Sequence, residues 1–133
     1  MFLVDTSVFT RIKRPSIADA LDPLLSFDLR YSAVTGLELR YSASSAKEWD
    51  VFSSVLGEFA RETPIAADFD RADEVQRMLA DAGLKGRKPA DLIIAAQAER
   101  LRLVVLHYDY DFELIASVTR QTHEWIVPRG WID

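Results

Sequence analysis

A chain of 133 residues, 49% hydrophobic and 28% charged, matches one domain able to bury its own core, and a mean hydropathy of -0.02 fits neither a disordered chain nor a membrane span. The absence of cysteine excludes disulfide frameworks, Cys-held zinc and thiol nucleophiles. A net charge of -5 and a pI near 5.0 exclude an undirected affinity for nucleic acid, since phosphate binding is driven by Lys and Arg.

From the N-terminus, Phe2 to Val4 is a short apolar strand, and the opening MFLVDTSVF has neither the basic flank nor the long apolar stretch of a secretory signal. A cytoplasmic protein without a membrane segment is therefore expected. Helical patterns follow around 17–27, 35–46, 47–61, 68–82 and 90–101, with Gly83 and Gly86 placed to stop the fourth. Between them, Tyr31 to Ala33 and Pro64 to Ala66 read as strands, Leu103 to Leu106 is the clearest buried strand, and Trp125 to Val127 reads as a final one. The stripe Trp49, Phe52, Leu56 and Phe59 has helical spacing and reads as core, with part of it able to form a groove for a partner helix. No repeat or linker divides the chain, so residues 1–133 read as a single domain. Alternating strands and helices predict an α/β fold: a parallel sheet with helices on both faces.

In such sheets ligands gather outside the carboxyl ends of the strands. Asp5 follows the first strand, Glu38 lies in the helix after the second, Asp109 and Asp111 follow the Leu103 to Leu106 strand, and Asp91 opens the helix leading into it. Asp91 shares a helical face with Ile94, Ala95 and Ala98, and Glu38 with Val34, Leu37 and Tyr41, so both carboxylates are expected to point inward. Inward carboxylates need a partner. Clustered acids resist ionisation unless a cation compensates them, and an all-oxygen set without His or Cys suits Mg²⁺ or Mn²⁺. Such an ion, with a small basic patch at Lys85, Arg87 and Lys88, would reconcile an acidic chain with a polyanionic substrate.

Each acid also has a local reading. Asp5 can cap the next helix, Thr35 and Glu38 match a capping box, Asp91 after Pro89 favours the helix dipole, and Asp109 or Asp111 can cap a helix beginning at Phe112. Four unrelated caps at one rim are a poorer account than one shared site.

The segments Phe2 to Val8, Tyr31 to Leu39, Arg87 to Ala96 and Leu106 to Phe112 together resemble the PIN-domain family, and within it the VapC-type toxins of toxin–antitoxin pairs. The resemblance implies a Rossmann-like sandwich, Mg²⁺- or Mn²⁺-dependent cleavage of RNA, inhibition by a VapB-type antitoxin, and a homodimer. It implies metal-site roles for Asp5, Glu38, Asp91 and Asp109, with Asp111 as a fifth acid and Thr6 or Ser7 supporting the first carboxylate. Either Asp109 or Asp111 can be the closer ligand. A PIN-like module that only binds RNA or protein is the competing reading, which metal-dependent cleavage would separate. A haloacid-dehalogenase phosphatase is disfavoured because Ser7 stands where its second Asp is needed, and His107 and His123 are too scattered for a zinc site.

Overall fold

The computed structural model describes residues 1–133. Its strands are β1 (Phe2–Val4), β2 (Leu29–Ser32), β3 (Ala60–Glu62), β4 (Val104–His107) and β5 (His123–Trp125). Its α-helices are α1 (Thr6–Phe9), α2 (Pro15–Leu21), α3 (Ala33–Tyr41), α4 (Ala46–Leu56), α5 (Ala66–Asp81), α6 (Pro89–Leu101) and α7 (Asp111–Thr119). The strands form one sheet in the order β3-β2-β1-β4-β5, with every neighbouring pair parallel.

The central strands alternate between two cores, as period-two side chains must in a sheet covered on both faces. Phe2 and Val4 of β1 and Leu106 of β4 pack on one face with Val8, Ile17, Leu39 and Leu56. Leu3 and Val105 pack on the other with Val75, Leu79, Ile94 and Ile115. Helices α1 to α4 thus cover one face of the sheet and α5 to α7 the other. The winding reverses between β1 and β4, which leaves a crevice at their carboxyl ends. No helix is long and apolar enough to cross a membrane.

Several element bounds differ from those expected. The third strand is Ala60–Glu62, not Pro64 to Ala66; it is a polar edge strand whose only partner is β2, so it carries no apolar signal. The second strand ends at Ser32, because the Ser32 hydroxyl accepts the Val34 N–H at 3.0 Å and starts α3 at Ala33. Ser32 is therefore the cap of that helix, and the Thr35–Glu38 capping box does not form; Thr35 is buried inside α3. The region 17–27 divides into α2 and a 3₁₀ turn, Asp22–Ser26. The last strand lies two residues earlier than expected, with Ile126 and Val127 buried just beyond it. Of the expected stripe, Leu56 at the end of α4 and Phe59 beyond it enter the core, whereas Trp49 is exposed beneath the Arg40 guanidinium, 4.7 Å from its ring centroid.

Candidate metal centre at the carboxyl ends of β1 and β4

Asp5 leaves the sheet where β1 meets β4, and its N–H extends the pairing by donating to the Leu106 carbonyl at 2.9 Å. It is the cap of α1: Oδ2 accepts the Ser7 N–H at 2.9 Å. Capping uses only one of its oxygens. Oδ1 is buried without a hydrogen-bond partner, so the capping and shared-site readings of Asp5 are compatible. The Ser7 hydroxyl accepts the Tyr108 N–H at 2.8 Å and ties α1 to the end of β4. Thr6 supports a different acid than expected: its hydroxyl donates to Glu38 Oε1 at 2.7 Å and lies 3.1 Å from that of Thr35.

Asp91 sits in the first turn of α6, behind Pro89, and is buried among the inward residues Ile94, Ala95 and Ala98, as the periodicity predicts. Its Oδ2 is also buried without a partner. Asp109 and Asp111 follow β4; Asp109 Oδ1 accepts the Asp111 N–H at 2.9 Å, while the Asp109 N–H donates to His107 Nδ1 at 3.1 Å. Oxygens of Asp91, Asp109 and Asp111 lie within 4.8 Å of one another. Asp5, Glu38, Asp91 and Asp109 line one cleft of about 540 Å³; Asp111 does not. Asp111 is instead paired with Arg87, whose Nη1 is 3.1 Å from its Oδ1.

Two expectations are corrected here. Glu38 is exposed rather than inward, together with Leu37 and Tyr41; α3 buries Ala33, Thr35, Gly36 and Leu39 instead. Glu38 reaches the cleft along the surface, held by Thr6. Nor do Lys85, Arg87 and Lys88 act as one patch. Only Lys88 lines the cleft; Arg87 turns to Asp111 and to the Lys85 carbonyl, and Lys85 is exposed outside it. Sequence reasoning missed the residues that complete the wall, among them Arg11, Tyr108, Tyr110 and Arg129. The turn signal at Pro128-Arg129-Gly130 was their one local trace.

Burial pushes the Asp91 carboxyl up to about 8, reinforced by the charges of Asp5, Asp109 and Asp111 and opposed by Lys88. Burial also raises Asp5 to about 6, against the hydrogen bonds from Ser7, with Asp109 and Glu38 adding repulsion. Both values exceed the usual 3.8, so between these limits the folded state binds more protons than the unfolded one. Stability from these two groups is full below about pH 4 and falls as pH rises toward 8. We expect the melting temperature in EDTA to drop between about pH 5 and pH 8, and the drop to shrink in Asp91→Asn; an unchanged slope in that variant would contradict the assigned cause.

A set of carboxylates with two orphaned buried oxygens fits a hard divalent cation, which would supply the missing partners. His107 cannot substitute as a ligand, since its two ring nitrogens are engaged with the Asp109 N–H and with His123 Nδ1 at 2.8 Å.

Comparison with known proteins gives one consistent result. The PIN domain model matches residues 2–118. Ribonuclease VapC51 of Mycobacterium tuberculosis is 44% identical over 133 residues, covering 99% of this chain and 97% of that one. Ribonuclease VapC18 of the same organism is 44% identical over 135 residues, covering 98% of each. Among solved structures, DNA-bound VapBC from Salmonella typhimurium superposes with a TM-score of 0.78 at 20% identity, covering 95% of this chain and 98% of that one. FitAcB from Neisseria gonorrhoeae gives 0.74 at 26% identity, covering 92% and 96%.

Proposed function

Because the chain belongs to the PIN-domain family, we propose that it is a divalent-metal-dependent endoribonuclease, the toxin of a type II toxin–antitoxin pair. The observation that carries the metal part of this reading is the pair of buried, unpartnered oxygens, Asp5 Oδ1 and Asp91 Oδ2, in a cleft shared with Asp109 and Glu38. Asp5, Asp91, Asp109 and Glu38 hold the ion, Mg²⁺ or Mn²⁺. Asp109 is the closer ligand of the Asp109–Asp111 pair, because Arg87 already compensates Asp111. When bound, the ion lowers the pKa of its water and offsets charge developing on the phosphodiester.

The chain's own residues do the rest. Thr6 holds the exposed Glu38 carboxylate in the lining of the cleft. Lys88 lines the same cleft and neutralises the RNA backbone as it approaches the acidic floor. Arg11, also in the wall, is held by the Ser7 carbonyl, 2.9 Å from its Nη1, and by Asp133, whose Oδ2 is 2.5 Å from its Nε.

The antitoxin is a small VapB-type protein, and a second opening suits one of its apolar segments. Phe9, Ile12, Leu39, Val51, Phe52 and Val55 line a groove of about 580 Å³ between α1 and α4, flanked by Lys13 and Lys47. The reading also includes a cytoplasmic location, one domain and a homodimer.

The test is cleavage of a structured RNA by purified protein. We expect cutting with Mg²⁺ or Mn²⁺, none in EDTA, and suppression by the antitoxin. Undiminished cleavage after rigorous chelation would overturn the metal mechanism, and a metal-loaded protein that leaves every RNA intact would overturn the nuclease.

A further inference from the structure

At the rim of the cleft the Arg129 guanidinium lies 4.1 Å from the centroid of the Tyr110 ring. Both side chains line the cleft beside Asp109, and both are open to water, Tyr110 being 42% exposed. A cation–π pair at such a surface adds little to folding. Yet the segment that carries Arg129 is firmly held. Ile126 donates its N–H to the His107 carbonyl at 2.8 Å, and the Trp131 N–H closes a turn onto Pro128 at 3.1 Å. Gly130 takes a φ of +90 within that turn, a conformation that L side chains rarely adopt. The N–H groups of Gly130 and Ile132 both donate to the Tyr108 hydroxyl, at 3.1 and 3.2 Å, and that hydroxyl donates to the Ile132 carbonyl.

Tyr108 and Tyr110 flank Asp109 in the chain, so the same short segment carries a metal-site acid, the hydroxyl that pins the tail, and the ring under Arg129. The backbone that carries the planar cation is thereby fixed beside the aromatic ring before any ligand arrives, which lowers the ordering cost of binding. Guanidinium planes and aromatic rings are the side chains on which an unstacked nucleobase rests. Lys88, in the same cleft, supplies charge for the adjoining backbone.

Building on the nuclease reading above, we infer that the Arg129–Tyr110 stack seats an unpaired base of the RNA beside the phosphodiester to be cut.

The probe is a single-stranded oligoribonucleotide carrying one 2-aminopurine, titrated with protein in Ca²⁺ in place of Mg²⁺. Wild type should bind it with a change in 2-aminopurine fluorescence, and annealing the complement should abolish both. Tyr110→Ala and Arg129→Ala should each weaken binding about tenfold and remove the fluorescence change, with Mn²⁺ affinity as in wild type. Tyr110→Phe should retain both signals, and Arg129→Lys, charged but not planar, should lose the fluorescence change. Wild-type affinity and fluorescence in both alanine variants, or equal binding of the duplex, would overturn this inference and leave the nuclease reading standing. A wild-type protein that neither binds nor cuts any RNA would defeat both.

Discussion

Replacing Asp91 by Asn is expected to reduce RNA cleavage by at least about 100-fold while leaving the metal-free protein as stable as before, or more so. Removal of a group that merely supports a ligand costs about 10- to 100-fold in metal affinity or activity, and Asp91 is proposed as a ligand itself. Its buried, unpartnered Oδ2 has nothing else in the fold to hold. Stability moves the other way because the burial and repulsion that push its carboxyl up to about 8 tax the charged form, and Asn carries no charge. Cleavage rates in Mg²⁺ and melting temperatures in EDTA at about pH 8 are the data needed. A variant that cleaves normally, or one that melts much lower without metal, would contradict the assignment.

Asp68→Ala is expected to show the reverse. Asp68 is as buried as Asp5, yet both of its oxygens are committed: Oδ1 and Oδ2 take the Arg100 guanidinium at 2.8 and 3.0 Å, and Oδ2 also accepts the Ile65 N–H at 2.8 Å at the start of α5. Burial alone would raise this carboxyl, but Arg100 and the Ile65 N–H together hold it below the usual range. Its contribution to stability is therefore present above about pH 4 and lost as pH falls further, opposite in sign to that of Asp91. Breaking a buried pair costs about 3–5 kcal/mol; the Arg100 side chain is 32% exposed, so about 2–3 kcal/mol is expected, a fall in melting temperature of about 10 °C. Cleavage per folded molecule should survive, since Arg100 lies at the far end of α6 from Asp91. Loss of cleavage at a temperature where the variant remains folded would show that the two carboxylates are not separable as argued.

The contrast between these acids marks what the sequence could disclose. Asp5 and Asp109 were legible because apolar β1 and β4 precede them, and Asp91 because Ile94, Ala95 and Ala98 define an inward stripe that the structure buries. Glu38 was placed in the right cleft for the wrong reason. Leu37 and Tyr41 suggested an inward face, but α3 packs through small residues, Thr35 and Gly36, and leaves Tyr41 92% exposed. Strand β3, Ala-Arg-Glu, was invisible because an edge strand need not be apolar. The basic residues failed for a longer-range reason: Arg87 is spent on Asp111, 24 residues away, while Arg11 and Arg129 reach the cleft from opposite ends of the chain. Local pattern gives no warning of either.

The central claim is that this cleft is a divalent cation site built from these carboxylates, and Mn²⁺ binding measured by calorimetry at neutral pH tests it without any RNA. The account predicts saturable binding to wild type and to Asp68→Ala, with proton release as Asp91, raised to about 8, ionises, and binding abolished or greatly weakened in Asp91→Asn. Equal Mn²⁺ affinity in wild type and Asp91→Asn, or no binding to wild type, would contradict it.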